Sequence, residues 1–143
     1  MYRGLIVLLI TFTFIPIANA KSSEVRCLTD MAYMENKSGG KTGIKDVVDV
    51  MFNRVDSKHF PSGICSNLYM KGQYPWAGKI IPNRKTTTYK EVEKIVEEEY
   101  AKRKLGAWRD GTDGSLFFNN HGKKPTKKVK RVMTRKGHHF FKL

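Results

Sequence analysis

A chain of 143 residues has room for one domain with a modest core. A formal net charge of +14 excludes a neutral or acidic surface and implies an anionic partner. Two cysteines and four scattered histidines give no familiar ligand spacing, so no metal and no cofactor are expected.

Residues 1–20 read as a secretory signal. Arg3 gives a positive start, Leu5 to Ile17 is apolar, and Ala18-Asn19-Ala20 places small residues where a signal peptidase reads. Cleavage after Ala20 leaves a domain spanning 21–143 that is secreted or periplasmic. The alternative is an uncleaved anchor. For an exported basic protein the expected partners are anionic cell-envelope surfaces and peptidoglycan carboxylates rather than nucleic acid, and a monomer is expected. Export also changes how Cys27 and Cys65 read. In an oxidising compartment one disulfide is plausible, closing a loop of about forty residues worth about 4 kcal/mol. Two free buried thiols are the alternative.

The first helix is expected over Ser23 to Asn36, with Ser22 as its cap. At ~100° per residue, Val25, Cys27, Leu28, Met31, Ala32 and Met34 share one half of the wheel. Arg26, Thr29, Asp30, Tyr33, Asn36 and Lys37 share the other. Glu35 breaks the pattern, because it falls in the apolar half between Leu28 and Met31. A desolvated carboxyl there holds its proton toward neutral pH, as a general acid must. If the helix ends one residue early, Glu35 turns outward instead.

After a Gly-rich connection, a second helix is expected from Gly43 to Asp56, with a buried stripe of Ile44, Val47, Val48, Met51 and Val55. Asp46 and Asp49 lie off that stripe and read as solvated. His59 to Asn83 reads as a loop, broken by proline and glycine but holding Tyr69, Tyr74 and Trp76, a candidate binding wall. A third helix is expected to start at a Thr88/Glu91 capping box and stop at Gly106, with Glu97-Glu98-Glu99 as a solvated face. Ser115–Asn119 and His138–Lys142 read as strands able to pair, joined by a basic linker carrying Lys123, Lys124, Lys127, Lys128, Lys130 and Arg131. The expected class is α+β, a helical core with a small C-terminal antiparallel sheet.

Several segments, in this order, carry a resemblance. They are Cys27-Leu28, Tyr33-Met34-Glu35, Asn53-Arg54-Val55, Phe60-Pro61-Ser62-Gly63-Ile64-Cys65, Gly72-Gln73-Tyr74, Gly114–Phe118 and Gly137–Phe141. Together they resemble the SleB-like cell-wall hydrolases, whose founding members degrade spore cortex. The resemblance implies a lysozyme-like, lytic-transglycosylase fold acting on peptidoglycan glycan strands, with Glu35 as the catalytic acid/base at the first Glu of the family motif. The family's Arg-Gly-Glu becomes Lys37-Ser38-Gly39, so its second Glu has no counterpart. A short, exported, basic member would suit a phage lysis enzyme.

The expected function is therefore glycan-strand cleavage by a single glutamate. Tyr33, Gln73, Trp76 and His139 are the candidate substrate contacts: aromatic faces stack on sugar rings, and an amide serves hydroxyl and acetamido groups. Asn53 is a candidate structural support near Glu35. The other readings are a muramidase-type hydrolase, a non-catalytic murein-binding protein and a secreted basic nuclease using Glu35 with His139.

Overall fold

The computed structural model describes residues 21–143, so the expected signal at 1–20 lies outside the described residues. Four helices and a three-stranded sheet follow in order: α1 Ser23–Asn36, α2 Gly40–Asp56, α3 Ile64–Leu68, α4 Thr87–Lys104, β1 Phe117–Asn119, β2 Lys130–Arg135 and β3 His138–Lys142. The class is α+β, as the sequence implies.

Helix α1 is the centre of the helical layer and packs on α2, α3 and α4. Leu28, Met31 and Ala32 are fully buried against Val47, Val48, Met51, Leu68, Val92 and Val96. A helix enclosed on several sides has no solvated half. Thr29, Asp30 and Asn36, expected in water, are buried too. Each finds a partner, since an unpaired buried polar group costs 1–3 kcal/mol, an order-of-magnitude figure. Thr29 Oγ1 donates to the Val25 carbonyl at 2.8 Å. Asp30 accepts a bidentate pair from Arg84 at 3.1 and 2.6 Å and the Tyr89 hydroxyl at 2.6 Å. Asn36 Nδ2 donates to the Gly43 carbonyl at 3.1 Å. The Asn36 side chain needs bare backbone around it. A Cβ on Gly39 would lie 2.5 Å from Asn36, and one on Gly43 would lie 2.7 Å away.

Four further expectations are corrected. Helix α2 starts at Gly40, not Gly43, because Gly40 to Thr42 carry no apolar side chain for periodicity to register. Asp46 and Asp49 are buried, not solvated. Asp46 is gripped by Arg135 of β2 through Nε at 2.8 Å and through Nη2. Asp49 accepts from Trp108 Nε1 at 2.8 Å, Gly111 N at 2.8 Å and Lys45 Nζ at 2.6 Å. The α4 cap is Thr86, whose hydroxyl accepts from Tyr89 N, so Thr88 and Glu91 lie inside the helix. Of the three glutamates, Glu99 is 1% exposed and takes Lys102 Nζ at 2.7 Å.

The expected loop over His59–Asn83 contains the short helix α3, and the expected basic linker ends in β2. The sheet order is β1-β3-β2, antiparallel throughout. The expected pairing of the two strands holds, with Phe117 opposite Phe141 and Asn119 opposite His139. Strand β3 is central, which places Phe140 and Phe141 in the core. Cys27 and Cys65 form a disulfide between α1 and α3, 38 residues apart in sequence.

Candidate active site

Glu35 lies in the last turn of α1, half-buried. Burial pushes its carboxyl above the usual range, while the Trp76 indole and the Arg54 charge pull it partly back. The helix C-terminus adds its own negative end to the forces opposing ionisation. Trp76 Nε1–H donates to Glu35 Oε1 at 2.7 Å. An indole nitrogen only donates. Oε1 therefore acts as the acceptor, and Oε2 is the oxygen left to carry the proton.

Arg54 is the functional neighbour that the sequence reading overlooked. It projects from α2 and is buried, with Nε donating to the Leu116 carbonyl at 2.7 Å and Nη1 to the Tyr74 hydroxyl at 3.0 Å. The rings of Phe60, Tyr74 and Phe117 surround its guanidinium at 4.9, 5.5 and 5.8 Å. A signal was available. Arg54 falls three residues after Met51 and seven after Val47, at the edge of the apolar stripe, just as Glu35 interrupts its own. The Tyr74 hydroxyl is held mostly by burial above the ordinary phenol range; Arg54 opposes this and Glu35 adds to it.

A cavity of about 340 Å³ opens on this group. Glu35, Arg54, Gln73, Tyr74, Phe117 and Thr126 are among the residues lining it, and Glu35 is the one carboxylate in the lining among the described residues. Three parts of the chain thus meet: the α1–α2 pair, the turn around Gly72, and β1 with the stretch after it. A larger cavity of about 650 Å³ lies between the α2 C-terminus and α4, and its carboxylates are taken. Glu24 accepts from Ile64 N at 2.8 Å, and Arg103 holds Asp56 at 3.1 and 2.6 Å. Size does not locate the chemistry here.

The structure brings Trp76 to Glu35 through its hydrogen bond, although Trp76 is not in the cavity lining, and places Gln73 in that lining with Glu35; it does not gather the other candidates there. The Tyr33 ring packs on Tyr89 at 5.3 Å under Lys37, away from the cavity lining. His139 shares a hydrogen with Thr134 Oγ1 at 2.8 Å and is also outside the lining. Its neighbour His138 is the histidine set edge-on against Phe118, at 5.1 Å. Asn53 Nδ2 donates to the Ser115 carbonyl at 3.2 Å and Thr112 Oγ1 at 3.3 Å. It ties α2 to the segment entering β1 and so holds the wall that carries Phe117. Asp110 is used locally, accepting from Thr112 N at 2.8 Å and Gly114 N at 2.5 Å. Among the described residues no group of three His, Cys, Asp or Glu is placed to hold a metal ion.

The fold that carries this cavity is similar to that of solved proteins. The catalytic domain of the germination-specific lytic transglycosylase SleB from Bacillus anthracis superposes with a TM-score of 0.64 at 19% identity, covering 88% of this chain and all of that one. The catalytic domain of the SleB protein of Bacillus cereus gives a TM-score of 0.60 at 20% identity, covering 87% of this chain and 94% of that one. These likenesses establish the lysozyme-like α+β fold. No curated protein matches the chain. The cell wall hydrolase family profile matches residues 38–142, most of the chain, beginning just past Glu35. The chain belongs to the cell wall hydrolase family.

Proposed function

We propose that the protein cleaves peptidoglycan glycan strands as a lytic transglycosylase, with Glu35 as its single acid/base. The observation that carries this reading is the lone protonatable carboxyl in the cavity, held by Trp76 beside Arg54. Two-carboxylate hydrolysis needs a second acid across the bond. The three aspartates that would be considered, Asp30, Asp49 and Asp110, are bonded to internal partners and absent from the lining.

Glu35 Oε2 first gives its proton to the bridging oxygen after N-acetylmuramic acid, and the bond from that oxygen to the anomeric carbon breaks. Charge develops on the sugar while Glu35 becomes a carboxylate, which Arg54 and the Trp76 N–H favour electrostatically. The carboxylate then takes the proton of the same sugar's 6-hydroxyl as O6 bonds to the anomeric carbon. Glu35 ends protonated, the product is a 1,6-anhydro sugar, and no water is consumed. Gln73 and Trp76 are proposed to contact sugar. The reading takes residues 1–20 as an export signal, supported by the apolar run before Ala18-Asn19-Ala20 and by a disulfide that needs an oxidising compartment.

The test is a digest of purified peptidoglycan analysed by mass spectrometry. Wild type is expected to release anhydro-muropeptides, one water lighter than reducing-end products. Glu35→Gln keeps the shape and loses at least a hundredfold in rate, the scale of general acid catalysis, roughly 10²–10⁴. Reducing ends alone overturn the single-glutamate mechanism. Undisturbed strands with nucleic acid degraded instead move the protein to nuclease chemistry.

A further inference from the structure

Apart from Arg54, the chemistry above makes no use of the chain's positive charge, and that charge is unevenly placed. No Asp or Glu occurs between Asp56 and Glu91, and none after Asp113. Apart from Glu35 and Arg54, the cavity lining comes entirely from those acid-free stretches: Gly72, Gln73 and Tyr74 from the first, Phe117 to Thr126 from the second. Lys71 adjoins Gly72, and Lys123, Lys124, Lys127 and Lys128 bracket Pro125 and Thr126. All five are exposed. Among the described residues none is ion-paired, whereas Lys41, Lys45, Lys90, Lys102 and Lys142 each hold an acid.

The stretch carrying four of these lysines is tied down. Asn119 accepts from Gly122 N and donates to the Lys123 carbonyl, both at 2.8 Å. Arg131 Nη2 donates to the Gly122 carbonyl. Thr126 Oγ1 accepts from Lys128 N at 3.3 Å, and Val129 is buried at the far end. The backbone that carries these lysines is therefore fixed beside the cavity lining.

We propose that these lysines bind the carboxylates of the peptide stems on the strand in the cavity, so that the enzyme selects strands with free-acid stems over strands with amidated ones. The inference rests on the lytic reading above. Each stem hangs from a muramic sugar, so a strand held with that sugar at Glu35 carries its stem carboxylates beside the cavity, where exposed charges act over a screening length of about 10 Å at 0.1 M salt. Lysine suits such a partner. Its ammonium is a mobile point charge and needs no fixed bidentate geometry, which a flexible stem would not offer. Anionic polymers elsewhere in the wall would be met by any face of so basic a protein. Unpaired cations on residues flanking the lining point to the substrate's own charges.

The test uses soluble glycan strands bearing uncross-linked stems, in free-acid form and with the stem carboxyls converted to amides. At low salt the wild type is expected to show about a tenfold higher kcat/KM on the free-acid form, carried by KM, since exposed pairs are individually weak and several act together. The ratio should fall toward one near 1 M salt, where screening shortens to about 3 Å. In the variant with Lys123→Gln, Lys124→Gln, Lys127→Gln and Lys128→Gln, the ratio should fall toward one at low salt. Equal turnover of both forms by wild type, a salt-independent preference, or a variant that keeps the ratio overturns the proposal. A wild-type preference that is absent or independent of salt overturns the proposal even if that variant does not fold, and the pairs Lys123→Gln with Lys124→Gln and Lys127→Gln with Lys128→Gln, made separately, should each lower the ratio. Turnover of neither form overturns the lytic reading as well.

Discussion

Glu35 combines three opposing influences, and their order sets its behaviour with pH. Burial dominates and raises its pKa, while Trp76 and Arg54 lower it. A carboxyl whose folded pKa lies above its unfolded value contributes stability while protonated and loses it as pH rises through the folded value. Glu35→Gln cannot ionise. It should therefore match wild type at acidic pH and exceed it as pH climbs through the raised pKa, which melting curves across pH will show. A variant less stable than wild type at every pH would contradict this. The same proton governs rate, so wild-type turnover should decline on the alkaline side. Trp76→Phe removes a donor that favours the carboxylate, so that alkaline limb should move to higher pH, with turnover reduced roughly fivefold for a hydrogen bond worth about 1 kcal/mol. An unmoved limb would show that the indole does not tune Glu35.

At the scale of elements, α1 is held by three attachments that the apolar wheel does not display. Asp30 joins it to Arg84 and to Tyr89 of α4. Asp30→Ala should cost about 2 kcal/mol in denaturant unfolding, chiefly because the buried Tyr89 hydroxyl loses its acceptor. Arg84 reaches solvent and adds little. Asp30→Asn should keep measurable lytic turnover with anhydro products, whereas its inactivation with the fold intact would make Asp30 a participant in the chemistry. Cys27–Cys65 fastens α1 to α3. Its loss by double substitution to serine should cost about 4 kcal/mol in the loop-entropy account, read as a fall in melting temperature. Asn36 between Gly39 and Gly43 is the third attachment, setting how closely α1 and α2 meet and hence the spacing of Glu35 from Arg54.

For the whole molecule, charge is partitioned. The acids cluster on α1, α2, α4 and the segment just after α4, where most form ion pairs, while the two stretches that supply the cavity walls carry only cations. Binding to whole peptidoglycan should accordingly weaken steeply with ionic strength, as exposed charges are screened. Export is tested by intact mass. The secreted protein should begin at Lys21, and alkylation should label both cysteines after reduction and neither before it. A mass that still includes residues 1–20 would place a leader on the working enzyme.

Local chemistry determined α1, α2, α4 and the two strands rich in aromatic residues, because each carries its own periodicity; the short α3 lies in a stretch that reads as a loop. The Glu35 anomaly was legible for the same reason: a charge inside an apolar repeat is visible without knowing what lies opposite. Tertiary structure alone decided the fate of the other acids. Asp46, Asp49 and Glu99 read as solvated on one-helix patterns, yet each is buried against a cation from its own or another element. A helix wheel registers apolar surface and cannot show that Arg135, far along the chain, neutralises Asp46. Strand β2 was hidden likewise: Lys130–Arg135 is mostly polar and basic, and it becomes a strand because the exposed edge of β3 gives its backbone partners. The site itself is non-local. Glu35 stands out within its own helix, but Arg54, Tyr74, Phe117 and Thr126 come to it from segments whose meeting no spacing encodes, since packing of α1 against α2 and of β1 against α2 is what brings them together.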